Sequence, residues 1–249
     1  MTTNSIGNAC RNDFLVTRAD NAGTAKSTTE HLTDQAGSQA CQVISVAGTT
    51  ADDAYTRLSI GATATYALGI DNSDSDKFKI AYHADSATPS STALWTSTIA
   101  GEVSKPLQPT FLAQNAARTD ITGDGTIYTL SLGHAEIFDV GGNLAAGVFT
   151  APVTGKYLIG GQITLAGVNQ DGLQYRTILA TSNREYYSTW VRMWGISDPD
   201  TKLYASHGSI LADMDAGDEA RIRMVATGGT KTYDLSGVEL SYMYGDLVL

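Results

Sequence analysis

Apolar residues in this chain come in short runs that alternate with a period of two, and that pattern admits strands and little else. The runs "CQVISVAG", "AYTRLSIG", "TYALGI" and "KFKIAY" in the first part are separated by clusters of Ser, Thr, Asp, Asn and Gly, which are turn formers. Tyr55, Arg57 and Ser59 alternate against Thr56, Leu58 and Ile60, and no helical period competes with this pattern. From Phe111 onward the runs lengthen and become more apolar, as in "GKYLIGGQITLAGV", "YRTILATS", "TKLYASHGSILADM" and "GVELSYMYGDLVL". Strands at such regular spacing, with Gly, Asp and Asn at the joints, predict an all-β chain that ends in a β-sandwich or jelly roll.

The change of texture falls near "EVSKPLQPTF", where Pro106 and Pro109 hold the backbone extended. We therefore expect an N-terminal attachment segment over 1–25, a β-rich stalk over 26–104 and a globular head over 105–249. The front strands are short and poor in bulky side chains, too slender to bury a core by themselves. Sharing strands or faces among three chains would solve that problem.

Composition removes several functions. Charged residues make up 17% of the 249-residue chain, against about a quarter in ordinary soluble domains. The formal net charge is −10, which argues against binding nucleic acid through a broad basic surface. The start of the chain shows no basic region followed by an apolar stretch, and no run of 18 apolar residues occurs, so neither a secretory signal nor a helical membrane span is expected. Cys10 and Cys41 are too few for a disulfide framework and do not form a metal-ligand pair. They read as free thiols of a protein that matures in a reducing cytoplasm.

The run "DNSDSD", residues 71–76, places Asp71, Asp74 and Asp76 close together. A helix–loop–helix calcium site wants Gly at the sixth position and Glu at the twelfth, where this chain has Asp76 and Tyr82. That form of calcium loop is excluded. The three carboxylates remain weak candidates for an irregular divalent-cation site, and no other cofactor is expected. A pair of acids for glycoside hydrolysis depends on a separation across the substrate, which spacing along the chain does not reveal. The reading favoured by the flanking strands is a turn held by Asn, Asp and Ser side chains.

Two resemblances extend this reading. "AGTTADDAYTRLSIGATATYALGIDNSDSDKFKI", within residues 48–82, resembles a segment repeated in phage tail-fibre and related virion proteins. It departs in having Tyr66 where tryptophan is common, and in the different continuation "AYHADSATPS". The resemblance implies an extended, trimeric, β-rich stalk. From Pro109 to the end, "IFDVGGNLAAGVFTAPVTGKYLI" resembles the trimeric jelly-roll head of the first complement component, a fold shared with tumour necrosis factor. Its landmarks, core and turn residues in what the resemblance implies, are Phe138, Gly142, Phe149, Ala151, Pro152, Gly155 and Tyr157, followed by Gly217 and Asp218 in "MDAGDEARI" and by Ser236 and Gly237 in "YDLSGVEL". Leu144 and Ile159 depart from the family's usual aromatics. The turn from Pro152 to Gly155 should carry Phe149 and Tyr157 inward.

For a site, the densest aromatic stretch is "NREYYSTWVRMWGI". Strict alternation places Trp190, Arg192 and Trp194 on one face and Tyr187, Thr189, Val191 and Met193 on the other. Tyr186, Tyr187, Trp190, Arg192 and Trp194 are the candidates for a trimer interface or a receptor contact, including stacking on a sugar. Tyr242 and Tyr244 alternate as a buried or interfacial strand would. His31, His83, His134 and His207 lack the spacing of a shared metal site. Ser209 beside His207 lacks a nucleophile elbow, "GDGT" reads as a hairpin turn, and no phosphate loop occurs. The chain reads as a non-enzyme: a homotrimeric virion fibre or spike that attaches to a host-surface glycan or protein through its head. Its other partners would be virion proteins, with assembly in the host cytoplasm and no membrane insertion. The alternatives are a capsid or tail decoration without a receptor, or a polysaccharide-degrading enzyme.

Overall fold

The computed structural model describes residues 44, 52–60, 63–131, 135–168, 172–192, 202–230 and 232–248. The expectations for segment 1–25, Cys10, Cys41, His31, His134, Met193 and Trp194 fall outside these residues. Among the described residues all regular structure is strand, apart from one turn of 3-10 helix at Asn72–Asp74.

Five strands follow one another in an antiparallel sheet: β1 (Ala54–Ile60), β2 (Ala64–Asp71), β3 (Lys77–His83), β4 (Thr92–Ser97) and β5 (Val103–Ser104). Register from Thr65↔His83 to Asp71↔Lys77 makes "DNSDSD" the closing turn of a β2–β3 hairpin. Inside that turn Ser75 and Asp76 take left-handed backbone, φ 57° and 56°, a conformation that Asp tolerates better than bulky residues do.

The two faces of this sheet differ. One carries Thr65, Ala67, Gly69, Asp71, Lys79 and Ala81, all buried. The connection after β3 lies over it: Ala87 is fully buried, and the Thr65 hydroxyl donates to the Asp85 carbonyl at 3.0 Å. Gly69 is required there, because a Cβ would stand 2.3 Å from the Tyr55 Cβ. The large apolar side chains are on the opposite face.

The strands after Val103–Ser104 form two antiparallel sheets, together called the head. The first is built on β12 (Gly155–Val168) and contains β6 (Thr110–Asn115), β7 (Arg118–Thr122), β9 (Ala135–Asp139), β15 (Lys202–Met214), β17 (Tyr233–Leu235) and β18 (Val238–Leu247). The second is built on β16 (Glu219–Thr227) and contains β8 (Ile127–Thr129), β10 (Leu144–Ala145), β11 (Val148–Thr150), β13 (Gln174–Thr181) and β14 (Glu185–Arg192). Across the first sheet the order is β15–β12–β18–β6–β9, and across the second it is β10–β11–β16–β13–β14. Sequence neighbours are repeatedly split between the layers, which makes the sandwich a jelly roll.

Tyr157, Ile159, Ile163, Leu165, Phe111 and Met243 from one sheet meet Phe149, Tyr175, Leu179, Ile222 and Met224 from the other in a continuous core. Phe149 stacks on Phe111 at 4.8 Å and lies 5.4 Å from Tyr157. The turn before β12 thus carries Phe149 and Tyr157 inward, and the Tyr157 hydroxyl locks it by donating to the Val153 carbonyl at 2.7 Å. Pro152 is exposed in this turn and Gly155 opens β12. Gly142 has φ +66°, and Gly237 lies against backbone, where a Cβ would stand 2.1 Å from the Ala117 nitrogen.

Two expectations need correction here. Phe138 is not in the core: it pairs with Leu112 on the outward side of the first sheet and is 44% exposed. "GDGT" is not a hairpin turn, because it joins β7 in the first sheet to β8 in the second. Gly123 and Gly125, at φ +131° and +94°, turn the chain from one layer to the other. Thr122 bridges the gap, donating to the Thr126 carbonyl at 2.7 Å and accepting from the Ala226 amide at 2.9 Å.

Candidate interaction surfaces

The acidic turn is internally neutralised. Asp71 is 1% exposed. Its Oδ1 accepts from the Ser73 amide and hydroxyl at 3.0 and 2.6 Å, and its Oδ2 receives the Lys79 ammonium at 2.7 Å. Lys79 also reaches Asp74 at 2.7 Å, and Asp74 binds Lys77 at 2.7 Å. Burial pushes the Asp71 carboxyl up, but Lys79 and Ser73 more than offset it and hold the acid below the ordinary aspartate range. Burial likewise disfavours charge on Lys79, and its two carboxylate partners outweigh that, holding it above the ordinary lysine range. Two lysines thus occupy the space beside Asp71 and Asp74 that a divalent cation would need, and Asp76 stands exposed. Asp71 and Asp74, two of the three residues considered for a metal, instead join Lys77 and Lys79 in an ion-pair network whose Asp71–Lys79 member is buried and clamps the hairpin.

The uncovered face of the front sheet is apolar. Leu58, Ile60, Tyr66, Ile70 and Phe78 are 58%, 77%, 41%, 44% and 42% exposed. Leu68, Ile80, Tyr82 and Trp95 lie among them, with Tyr66 and Tyr82 in contact at 5.3 Å and Phe78 edge-on to Trp95 at 5.8 Å. No described residue packs over this face. A contiguous apolar area of this kind marks an interaction surface.

The outward face of the first head sheet is of similar character. Leu158, Leu203, Leu211, Leu240 and Phe138 are exposed on it. At its centre Tyr244 lies nearly parallel to His207, with the rings 6.2 Å apart and the Tyr244 hydroxyl 3.3 Å from His207 Nε2. Gly160 makes this platform possible, since a Cβ there would stand 2.5 Å from the Tyr244 hydroxyl. Tyr242 continues the row at 6.4 Å. Lys156, Asp213 and Asp246 lie together at one end of the face, so its middle carries no formal charge. Tyr242 and Tyr244 are therefore half-buried and outward, and available to a neighbour.

The aromatic strand β14 is on the other side of the head, and strict alternation does not hold in it. Thr177 pairs with Thr189 but Ile178 pairs with Tyr187, so Ser188 is an extra residue in a β-bulge. The bulge brings Tyr187 onto the same face as Trp190, with rings 6.1 Å apart, rather than onto the opposite one. Tyr187 and Trp190 are 52% and 63% exposed, and Arg192 is exposed beside them. Tyr186 faces the other way and packs against the core, which removes it from the surface candidates. The Arg176 guanidinium lies 5.1 Å from the Trp190 ring centre, and the Trp190 indole donates to Gln174 Oε1 at 2.8 Å. Arg176 and Gln174 carry no signal in a linear reading, because they reach Trp190 only through strand pairing.

No family model and no curated protein sequence matches the chain. Among solved structures, murine APRIL at pH 8.5 aligns with a TM-score of 0.39 and 11% identity, over 57% of this chain and 99% of that one. The TNF protein Eiger from S. frugiperda aligns with a TM-score of 0.40 and 16% identity, over 58% of this chain and 94% of that one.

Proposed function

We propose that this protein is a homotrimeric fibre or spike of a phage virion, with a front β-stalk over 26–104 and a jelly-roll head over 105–249 that attaches the particle to a host surface. The virion assignment rests on the sequence resemblance of residues 48–82 to phage fibre segments. The trimer rests on one observation above others: the front sheet covers its small-residue face with its own loop and leaves Leu58, Ile60, Tyr66, Ile70 and Phe78 open to water. Burying half-exposed side chains of this size stabilises by about 1 kcal/mol each, so self-association through this face recovers on the order of 5 kcal/mol per chain.

Charge restricts which faces can meet. Each chain carries −10, and like surfaces repel unless the contact itself is uncharged. The front apolar face and the Tyr242–Tyr244–His207 platform both satisfy that condition. In this reading they turn toward the threefold axis, and the β14 face of the head turns outward. Attachment is then multivalent, with three weak sites per trimer and several trimers per particle raising avidity far above a single contact.

Light scattering after size exclusion tests the assembly: a mass near three times 26.3 kDa is expected at micromolar concentration, and a well-folded single chain would refute the proposal. Competition tests attachment. Soluble chain should block particle adsorption, and adsorption indifferent both to soluble chain and to head-directed antibody would leave a decoration protein without a receptor.

A further inference from the structure

The outward face of the second head sheet holds a concentration of arginine that the acidic total conceals. Arg176 on β13, Arg192 on β14 and Arg221 and Arg223 on β16 point to one side, with Glu185 and Glu219 as the carboxylates of those same strands on that side. The whole chain has 16 Lys and Arg against 26 Asp and Glu, so four arginines against two glutamates is a local reversal of sign. Glu219 takes Arg221, and Glu185 takes Arg223 at 2.7 Å. Arg176 and Arg192 are left with no carboxylate partner among the described residues. The Arg176 Nε is buried without a hydrogen-bond partner, an arrangement whose desolvation cost is normally avoided.

These two arginines flank the most exposed aromatic pair among the described residues of the head. Arg176 is directly across from Trp190 in the strand register, and Arg192 is two residues along on the same side. Trp190 and Tyr187, with rings inclined at 36°, offer flat apolar surfaces between two guanidinium forks. Such forks match the oxygens of an acid group in paired hydrogen bonds, and Trp, Tyr and Arg are the side chains that dominate binding energy at contact sites. Trp190 is fixed in place by its bond to Gln174 and by Arg176 beneath it, so little ordering is needed on binding.

We infer that Trp190, Tyr187, Arg176 and Arg192 form a binding site for an acidic saccharide, with a sugar ring stacked on Trp190 and its acid group held by the two arginines. This assignment rests on the attachment reading and names the chemical class of the surface ligand. It also explains how a chain of net charge −10 can engage an anionic surface: the long-range repulsion is screened beyond about 8 Å at physiological salt, and contact is made where the sign is reversed.

The test uses the full-length protein and tryptophan fluorescence titration. The probes are an oligogalacturonate (carboxylate), a dextran sulfate oligomer (sulfate), neutral maltohexaose and a ten-residue oligothymidylate. Saturable binding of either acidic sugar is expected, and the arm that responds identifies the acid group. Arg176→Gln and Arg192→Gln should each weaken it about tenfold, as should Trp190→Ala followed by calorimetry, whereas Trp190→Phe should retain most of it. Thermal melting should be unchanged in all four variants. Equal binding of maltohexaose, preference for the oligothymidylate, no binding of any acidic sugar, or loss of the trimer in Trp190→Ala would each overturn the assignment. Particle adsorption separates this outcome from failure of the attachment reading. If soluble parent chain blocks adsorption and the Arg176→Gln/Arg192→Gln variant blocks it equally well, the saccharide site fails and attachment stands. If neither chain blocks, attachment fails as well.

Discussion

Replacing Lys79 by Met isolates the energetics of the front hairpin. Met keeps the length of the side chain and removes the ammonium. Asp74 is 41% exposed in its side chain and still has Lys77, so it loses little. Asp71 is left buried, with the Ser73 amide and hydroxyl as its remaining donors. Removing one member of a buried ion pair costs about 3–5 kcal/mol, because the surviving charge is uncompensated. Neutralising both members in Asp71→Asn/Lys79→Met should recover most of that loss, since the desolvated charge itself is gone. The assay is urea unfolding at fixed protein concentration in a Trp190→Phe/Trp194→Phe background, where Trp95 in β4 remains the only tryptophan. At an m-value of about 2 kcal/mol per molar urea, Lys79→Met should lower the midpoint by roughly 1.5–2.5 M. The acid dependence has a definite sign. Asp71 is depressed below its unfolded value, so its contribution is present above about pH 3.9 and is lost as pH falls through the lower folded value. Lys79 is raised, so its contribution is present below about pH 10.4 and is lost only as pH rises through the higher folded value. The deficit of Lys79→Met should therefore be greatest around neutral pH and shrink in acid, as protonation removes the uncompensated Asp71 charge of the variant. A midpoint within about 0.3 M of the parent, or a double variant no better than Lys79→Met, would refute the argument.

Gly160→Ala should displace Tyr244 from its place against His207 and shift the protein toward single chains in light scattering, with the far-ultraviolet circular dichroism preserved. A trimer of unchanged concentration dependence would remove the platform from the interface. Burial pushes the Tyr175 hydroxyl up to about 12, so in spectroscopic titration Tyr175→Phe should remove a component that ionises well above the ordinary tyrosine range. The contribution of Tyr175 to stability is complete below about pH 10 and is lost as pH rises through the folded value. Tyr175→Phe removes the hydroxyl that is 2.7 Å from the Thr177 Oγ1, itself 3.0 Å from the Ser206 Oγ; breaking this buried hydroxyl chain should cost about 1–3 kcal/mol in denaturant unfolding.

Several features are legible in the sequence itself. The period of two and the turn residues determined an all-β chain, and the "DNSDSD" run between two alternating segments determined a hairpin. The turn at Pro152–Gly155 required Phe149 and Tyr157 to point the same way, which they do. These are local matters, set by backbone sterics and by side chains within a few residues of each other. What lay beyond reach depended on partners distant in sequence or on a change of register. Phe138 looks like a core residue until its outward partner Leu112 is known. The bulge at Ser188 moves Tyr187 to the other side of its strand, because one inserted residue inverts every side chain that follows. Arg176 becomes part of a site only because β13 pairs with β14. Which face of the front sheet receives its own loop, and which is left open, was likewise decided by tertiary packing: both faces contain apolar residues, and only the one lined by Ala, Gly and Thr lets backbone approach closely enough to cover it.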